Sequence, residues 1–263
     1  MINGDLFRPA VLSGKTSNTA YCMGKLVANA NVDTKNNTIQ LLYNDYLESF
    51  SEGYSGYLFE SSIIPDKILS YLEKFNIPYL ADVRNINTLV NNDIVEIISH
   101  NRIAKVLFRA NSDDNVLVVT NNCNCNCIMC PEPLPVRNEL MIPLDKTMNH
   151  LRLIEPSTRH LCISGGEPTL LKDKLFIILN ECKERLPHTS FTFLTNARMF
   201  SYKNYTEEFN ESRPKHILMG VPLYGHTSQI HDYITNTSGS FVQTVNGIKN
   251  LLNTGANVEI RIV

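Results

Sequence analysis

From Val116 onward the chain alternates short apolar runs with amphipathic ones, and this rhythm restricts its fold more than any other feature. Val116–Thr120 is a β-branched run that reads as a strand, and Asp145 caps a helix running to about residue 154. Residues 159–164 form a second strand. Leu175, Ile178, Leu179, Cys182 and Leu186 then fall on one helical face. Residues 191–195 are a third strand, and the polar stretch 201–211 reads as a surface helix. Residues 216–221 are a fourth strand. Phe241, Val245, Ile248, Leu251 and Leu252 mark another helical face, closed by Gly255. Residues 258–263 are a fifth strand. Strand and helix in strict turn imply parallel βα units in an open or closed barrel-like sheet. The sequence stops inside the fifth strand with no helix to cover it. A parallel strand has both faces covered, so the expectation is a barrel truncated after about five strands, or a layer supplied by a partner.

The first part of the chain reads differently. Residues 38–43 suggest a strand. Asp66 caps a helix whose apolar face is Ile68, Leu69, Leu72 and Phe75. Residues 94–98 and 103–108 form a hairpin that turns through 99–102. Asn76-Ile77-Pro78-Tyr79 and the run from Asn91 to Ile97 give 56–108 a loose resemblance to a swivelling β/β/α domain. The polar run 111–115 is a boundary. The division is therefore a small N-terminal α/β accessory domain at 1–113, followed by the βα region at 114–263.

Composition excludes several partners. The 263 residues carry 24 Lys plus Arg against 26 Asp plus Glu, a net charge of −2, so no basic excess asks for a nucleic-acid backbone. Residues 1–8 lack a basic region followed by an apolar one, so no signal peptide is read, and no apolar run is long enough to cross a bilayer. The expected compartment is the cytoplasm. In that reducing environment clustered cysteines bind metal or do chemistry rather than form disulfides.

Four of the seven cysteines lie within Cys123-Asn124-Cys125-Asn126-Cys127-Ile128-Met129-Cys130, directly after the first strand of the βα region. Thiolates suit zinc or iron–sulfur clusters. Cys123, Cys127 and Cys130 follow C-x3-C-x2-C, and three ligands on a four-iron cluster leave one iron open. Cys125 offers a fourth thiol. The spacing matches poorly the two separated C-x2-C knuckles of a zinc ribbon. After the second strand comes Gly165-Gly166-Glu167-Pro168, whose glycines let main chain approach a ligand closely. Thr195-Asn196 follows the third strand. In parallel βα barrels these strand ends form the active face, so three candidate sites converge on one rim. Cys22, Cys162 and Cys182 read as small buried hydrophobes. His231-Asp232 reads as a cap or surface pair before an acid–base dyad. Arg261 is left open between a ligand carboxylate and solvent.

The Cys123-x3-Cys127-x2-Cys130 motif after a strand, joined to Gly165-Gly166-Glu167-Pro168 after the next, resembles the radical S-adenosylmethionine (SAM) enzymes over about residues 116–263. The resemblance implies a [4Fe–4S] cluster on Cys123, Cys127 and Cys130, with SAM chelating the open iron. It implies an electron passed to the sulfonium and a 5′-deoxyadenosyl radical that takes hydrogen from substrate. It places Met129 against the adenine. It sets Gly165, Gly166 and Glu167, with Pro168 closing the turn, against the SAM amino group, and Thr195 and Asn196 near the ribose or carboxylate. A narrower likeness lies in Leu107-Phe108-Arg109, Asn122-Cys123, Pro131-Glu132-Pro133, Val221-Pro222-Leu223-Tyr224-Gly225, His231-Asp232 and Glu259-Ile260-Arg261. These resemble His-Xaa-Ser system maturases, which modify a ribosomally made peptide. The implied partners are a peptide or small-molecule substrate, an external electron donor and a partner maturase protein, with no nucleic acid and no membrane. Cys125, a missing sixth strand and the absence of a C-terminal cysteine-rich region depart from the family. They keep open a non-catalytic Fe–S or SAM-binding partner, and an electron-transfer protein with four thiolate ligands.

Overall fold

The structure, a computed structural model, describes residues 10–28, 36–130 and 142–262. Residues 1–8 and Pro131-Glu132-Pro133, both read above, lie outside these. The chain divides into two compact units, Met1–Ser112 and Asp113–Val263.

The first unit is built on one mixed sheet. Its elements are β1 (Ala10–Ser13), β2 (Tyr21–Val27), β3 (Thr38–Leu42), β4 (Gly56–Phe59), α1 (Asp66–Lys74), β5 (Tyr79–Leu80), β6 (Ile94–Ile98) and β7 (Ile103–Phe108), with strand order β1-β7-β6-β2-β3-β4-β5. The strands from β2 to β5 pair in parallel, and β1, β7, β6 and β2 pair antiparallel. β3 and β4 are buried along their whole length, because alternate side chains feed two cores. Leu26, Ile39, Leu41, Leu58 and Val95 pack on one face. Leu42, Tyr57, Phe59 and Tyr79 pack on the other, under Ile68 and Leu72 of α1. The anticipated hairpin is β6–β7, turning through a 3-10 segment at Ser99–Asn101 and a left-handed Arg102. Asp66 does not cap α1. Pro65 takes the cap position with no side-chain bond, and Asp66 opens the first turn, where its charge complements the helix dipole.

The second unit is a singly wound parallel sheet. It comprises β8 (Val116–Thr120), α2 (Leu144–Leu153), β9 (His160–Gly165), α3 (Asp173–Arg185), β10 (Ser190–Leu194), α4 (Lys203–Ser212), β11 (Ile217–Pro222), α5 (Ser228–Thr235), α6 (Ser240–Asn253) and β12 (Asn257–Arg261). The strands lie in chain order from β8 to β12, all parallel. Helices α2, α3, α4 and α6 pack each on the next, so the sheet winds one way, as in a partial (β/α) barrel. All strand C-termini therefore open onto one rim. No helix among the described residues is long and apolar enough to cross a membrane.

The polar stretch forms the expected surface helix, α4, anchored by Phe209, which is fully buried against Phe200, at 4.8 Å between ring centroids, and Phe193, at 5.4 Å. Two expectations need correction. Pro143, not Asp145, takes the cap position of α2. The inward face of α6 is Ser240, Thr244, Gly247, Ile248 and Leu251, whereas Leu252 is exposed. A backbone carbonyl pressed onto Gly247 brings its small-residue face inward. Helix α5, short and polar, was not anticipated.

Candidate metal and cofactor site

The ends of β8 and β9 are locked together by main chain. The register between them shifts after Val118, an irregularity of the kind that sits beside functional loops. Past it, Gly166 N donates to Thr120 O at 2.8 Å and Glu167 N to Asn122 O at 2.7 Å. A Cβ on Gly165 would stand 2.2 Å from Thr120 O, and one on Gly166 2.3 Å from Asn122 O. The two glycines are thus required by the chain that leads into Cys123. Pro168 opens a short 3-10 turn, where its missing N–H costs nothing.

Glu167 is buried, and its carboxylate is fully engaged by protein. Oε1 accepts from Thr169 N (3.1 Å), Thr169 Oγ1 (2.6 Å) and Thr195 Oγ1 (2.7 Å), and Oε2 from Asn196 N (2.7 Å). Burial pushes its carboxyl above the usual range, opposed by those four donors. Glu167 therefore ties the β9 turn to the end of β10, so Thr195 and Asn196 meet the Gly-Gly-Glu-Pro turn directly.

The cysteine loop lies across this platform. Cys125 is buried, and its backbone N donates to Cys123 Sγ at 3.4 Å. The interplay of the neighbouring thiols, with the Arg198 guanidinium beside Cys125, holds Cys125 well below the usual thiol value and Cys123 and Cys127 above it. Cys130 and Met129 stand exposed at the outer end of the loop. Asn126 N and Ile128 N donate to Thr235 O (3.0 Å) and Ile234 O (2.9 Å) at the end of α5.

Two residues beyond the motifs join the site. Arg198 Nη1 donates to Asn124 O at 2.5 Å. Its only sequence signal was its place just past Asn196. Tyr224, after β11, stacks on His231 at 5.7 Å between ring centroids. Its hydroxyl is pushed up to about 12, chiefly by burial, with the neighbouring cysteine loop adding. His231 Nδ1 accepts from Tyr224 N at 3.2 Å, so its proton sits on Nε2. Asp232 accepts from Gly239 N, Ser240 Oγ and Phe241 N at the start of α6, whose cap position Gly239 takes, so its carboxylate serves that helix end and is not half of a dyad. Arg261 pairs with Glu259 at 2.6 Å. Burial pushes the thiols of Cys22 and Cys182 up to about 12 and that of Cys162 up to about 11.

The donor set fits an iron–sulfur cluster. Among the described residues no three His, Cys, Asp or Glu side chains converge tightly enough to hold a single metal ion. A structural zinc needs four donors on one ion, whereas cluster thiolates each take a different iron and stand further apart. Four thiols in one loop at the C-terminal rim of a parallel sheet supply the soft donors that a cluster takes.

No curated protein matches the chain significantly. Among solved structures, anSMEcpe with bound AdoMet and Kp18Cys peptide is 15% identical, with a TM-score of 0.45, and the match covers 55% of this chain and 41% of that one. Streptococcus suis SuiB bound to S-adenosylmethionine is 22% identical, with a TM-score of 0.43, covering 55% of this chain and 32% of that one. The chain thus spans less than half the length of either structure. The sequence model of the radical SAM superfamily matches residues 117–263, more than half of the chain. A cysteine loop and a Gly-Gly-Glu-Pro turn on adjacent parallel strand ends, within a segment that fits that model, make this chain a member of the radical SAM superfamily.

Proposed function

We propose that the chain modifies a ribosomally made peptide by SAM-dependent radical chemistry. The superfamily uses a [4Fe–4S] cluster and SAM. Cys123, Cys127 and Cys130 hold the cluster. When bound, cluster and SAM together supply reductive cleavage to a 5′-deoxyadenosyl radical. The chain's own residues orient and shield. Met129 would contact the adenine, the backbone of the Gly165-Gly166-Glu167-Pro168 turn would receive the amino group, and Thr195 and Asn196 brace that turn from β10. The carrying observation is the pair of backbone bonds from Gly166 and Glu167 to Thr120 and Asn122, which put the two motifs side by side.

The peptide substrate rests on the sequence likeness to His-Xaa-Ser maturases. On that reading residues 1–113 present the peptide, residues 114–263 carry the chemistry, and an external donor reduces the cluster. The test is anaerobic reconstitution followed by assay of dithionite-driven 5′-deoxyadenosine formation. An intact cluster with bound SAM and no product retires the enzymatic reading in favour of a non-catalytic SAM-binding partner. Zinc without iron or sulfide retires the cluster itself.

A second reading, a four-thiolate electron-transfer centre, draws on Cys125, a fourth thiol between Cys123 and Cys127 in the same loop. Replacing Cys125 separates the two.

A further inference from the structure

The loop after β10 is held on both sides. Asn196 N is bonded to Glu167, and Asn196 O accepts from Thr244 Oγ1 of α6 at 2.9 Å. Ala197 is buried and adopts a left-handed backbone (φ 59°), which an alanine takes only under constraint. Its carbonyl is pressed on α6 where a Cβ on Gly247 would come within 2.0 Å. The outcome of this strained turn is the direction of its two flanking side chains.

Both reach the insert between Cys123 and Cys127. Asn196 Nδ2 donates to Asn124 Oδ1 at 2.7 Å and to Cys125 Sγ at 3.5 Å. Arg198 Nη1 donates to Asn124 O at 2.5 Å and to Cys125 Sγ at 3.5 Å, while its Nε is fixed by Gln243 Oε1 at 2.6 Å. The Cys125 sulfur therefore already accepts from an amide and a guanidinium. Swinging it onto iron would abandon both contacts and leave the guanidinium, half-buried, without its sulfur partner.

We infer that Asn196 and Arg198 are positioning residues that hold Cys125 as a non-ligand sulfur. Three thiolates, not four, then bind the cluster, and one iron stays open. The inference rests on the cluster reading of Proposed function. It has a second consequence. Reduction adds an electron to the cluster, so a fixed cation held against the cysteine loop favours the reduced state. Arg198 raises the cluster's reduction potential.

The test uses the full chain, reconstituted anaerobically, with Cys125→Ser, Arg198→Gln and Arg198→Lys. Iron and sulfide content, redox titration and the EPR signal of the reduced cluster with and without SAM are the readouts. Cys125→Ser is expected to keep a full [4Fe–4S] complement and a SAM-sensitive EPR signal. Arg198→Gln is expected to keep the cluster, with its reduced-to-oxidised ratio at fixed potential falling about tenfold, a downward shift of about 59 mV for one electron. Arg198→Lys should recover much of that shift by retaining the charge. Loss of the cluster in Cys125→Ser would make Cys125 a ligand and overturn the inference. An unchanged potential in a folded Arg198→Gln would overturn the role of the guanidinium. Should Arg198→Gln not fold, the near-isosteric Cys125→Ser still decides. A wild-type chain that takes up no iron and sulfide overturns the cluster reading itself, a result distinct from either variant outcome.

Discussion

Replacing Gly165 with alanine tests the link between the two motifs. The new Cβ would lie 2.2 Å from Thr120 O, where ordinary contact begins near 3.4 Å, so the strand ends must part by 3.4 − 2.2, about 1.2 Å. The bond from Gly166 N to Thr120 O, now 2.8 Å, would lengthen past hydrogen-bonding range. Gly166 is exposed, so losing its bond to the buried Thr120 costs about 0.5–1.5 kcal/mol, and forced overpacking adds about 1–3 more. The expected loss is about 3 kcal/mol, the sum of the two midpoints. The displaced segment leads straight into Cys123, and a misplacement of about 1 Å at a reacting centre costs on the order of 100-fold in rate. Urea unfolding followed by circular dichroism, with iron content and SAM binding, reads both effects. Gly255→Ala is the control, because its Cβ meets nothing within 4 Å and only its positive φ is strained, for about 1–2 kcal/mol. A Gly165→Ala chain within about 1 kcal/mol of wild type, with normal SAM binding, would refute the argument.

Three further outcomes follow from other parts of the second unit. Glu167→Gln places an amide NH2 against donors, so it should destabilise by about 2–4 kcal/mol and weaken SAM binding; a neutral effect in urea unfolding would contradict the bonding described. Asp232→Ala should cost about 1 kcal/mol of stability by removing the acceptor at the start of α6 and leave cluster uptake unchanged, as thermal unfolding and iron analysis would show. His150 is buried, and burial, with Lys146 adding, lowers its pKa from 6.5 to about 4. The unfolded chain binds that proton first, so the stability it contributes is complete above pH 6.5 and falls as pH drops towards 4, by about 3 kcal/mol at the limit. His150→Gln should flatten that slope in unfolding curves taken across the window, and an unaltered slope would exclude the assignment.

Much of the second unit was legible because its strands are apolar and its helices amphipathic. The strands at β8, β9 and β10 declare themselves by β-branched and aromatic runs, and the motifs at their ends followed. What stayed hidden was tertiary. The face of α6 was misread because Phe241, Val245 and Leu252 have the right spacing, but Gly247 must meet a carbonyl, and only the folded chain supplies that carbonyl. Arg198 was invisible because its direction is set by a left-handed alanine, which sequence pattern gives no reason to expect. Asp66 and Asp145 were read as caps, yet a proline one residue before the first and two before the second takes the cap position itself. In the first unit, β3 and β4 are buried on both faces, and such strands lack the alternation that makes a half-exposed strand readable.

The cysteine loop is grasped at Asn124 from the β10 side, and at Asn126 and Ile128 from the end of α5. Its conformational entropy is thus surrendered when the polypeptide folds, before any iron arrives. Small zinc-dependent domains collapse when a chelator strips them, since there the ion does the ordering. Here the frame should outlast its cargo, so that inorganic centres can be removed and rebuilt repeatedly on the same molecule.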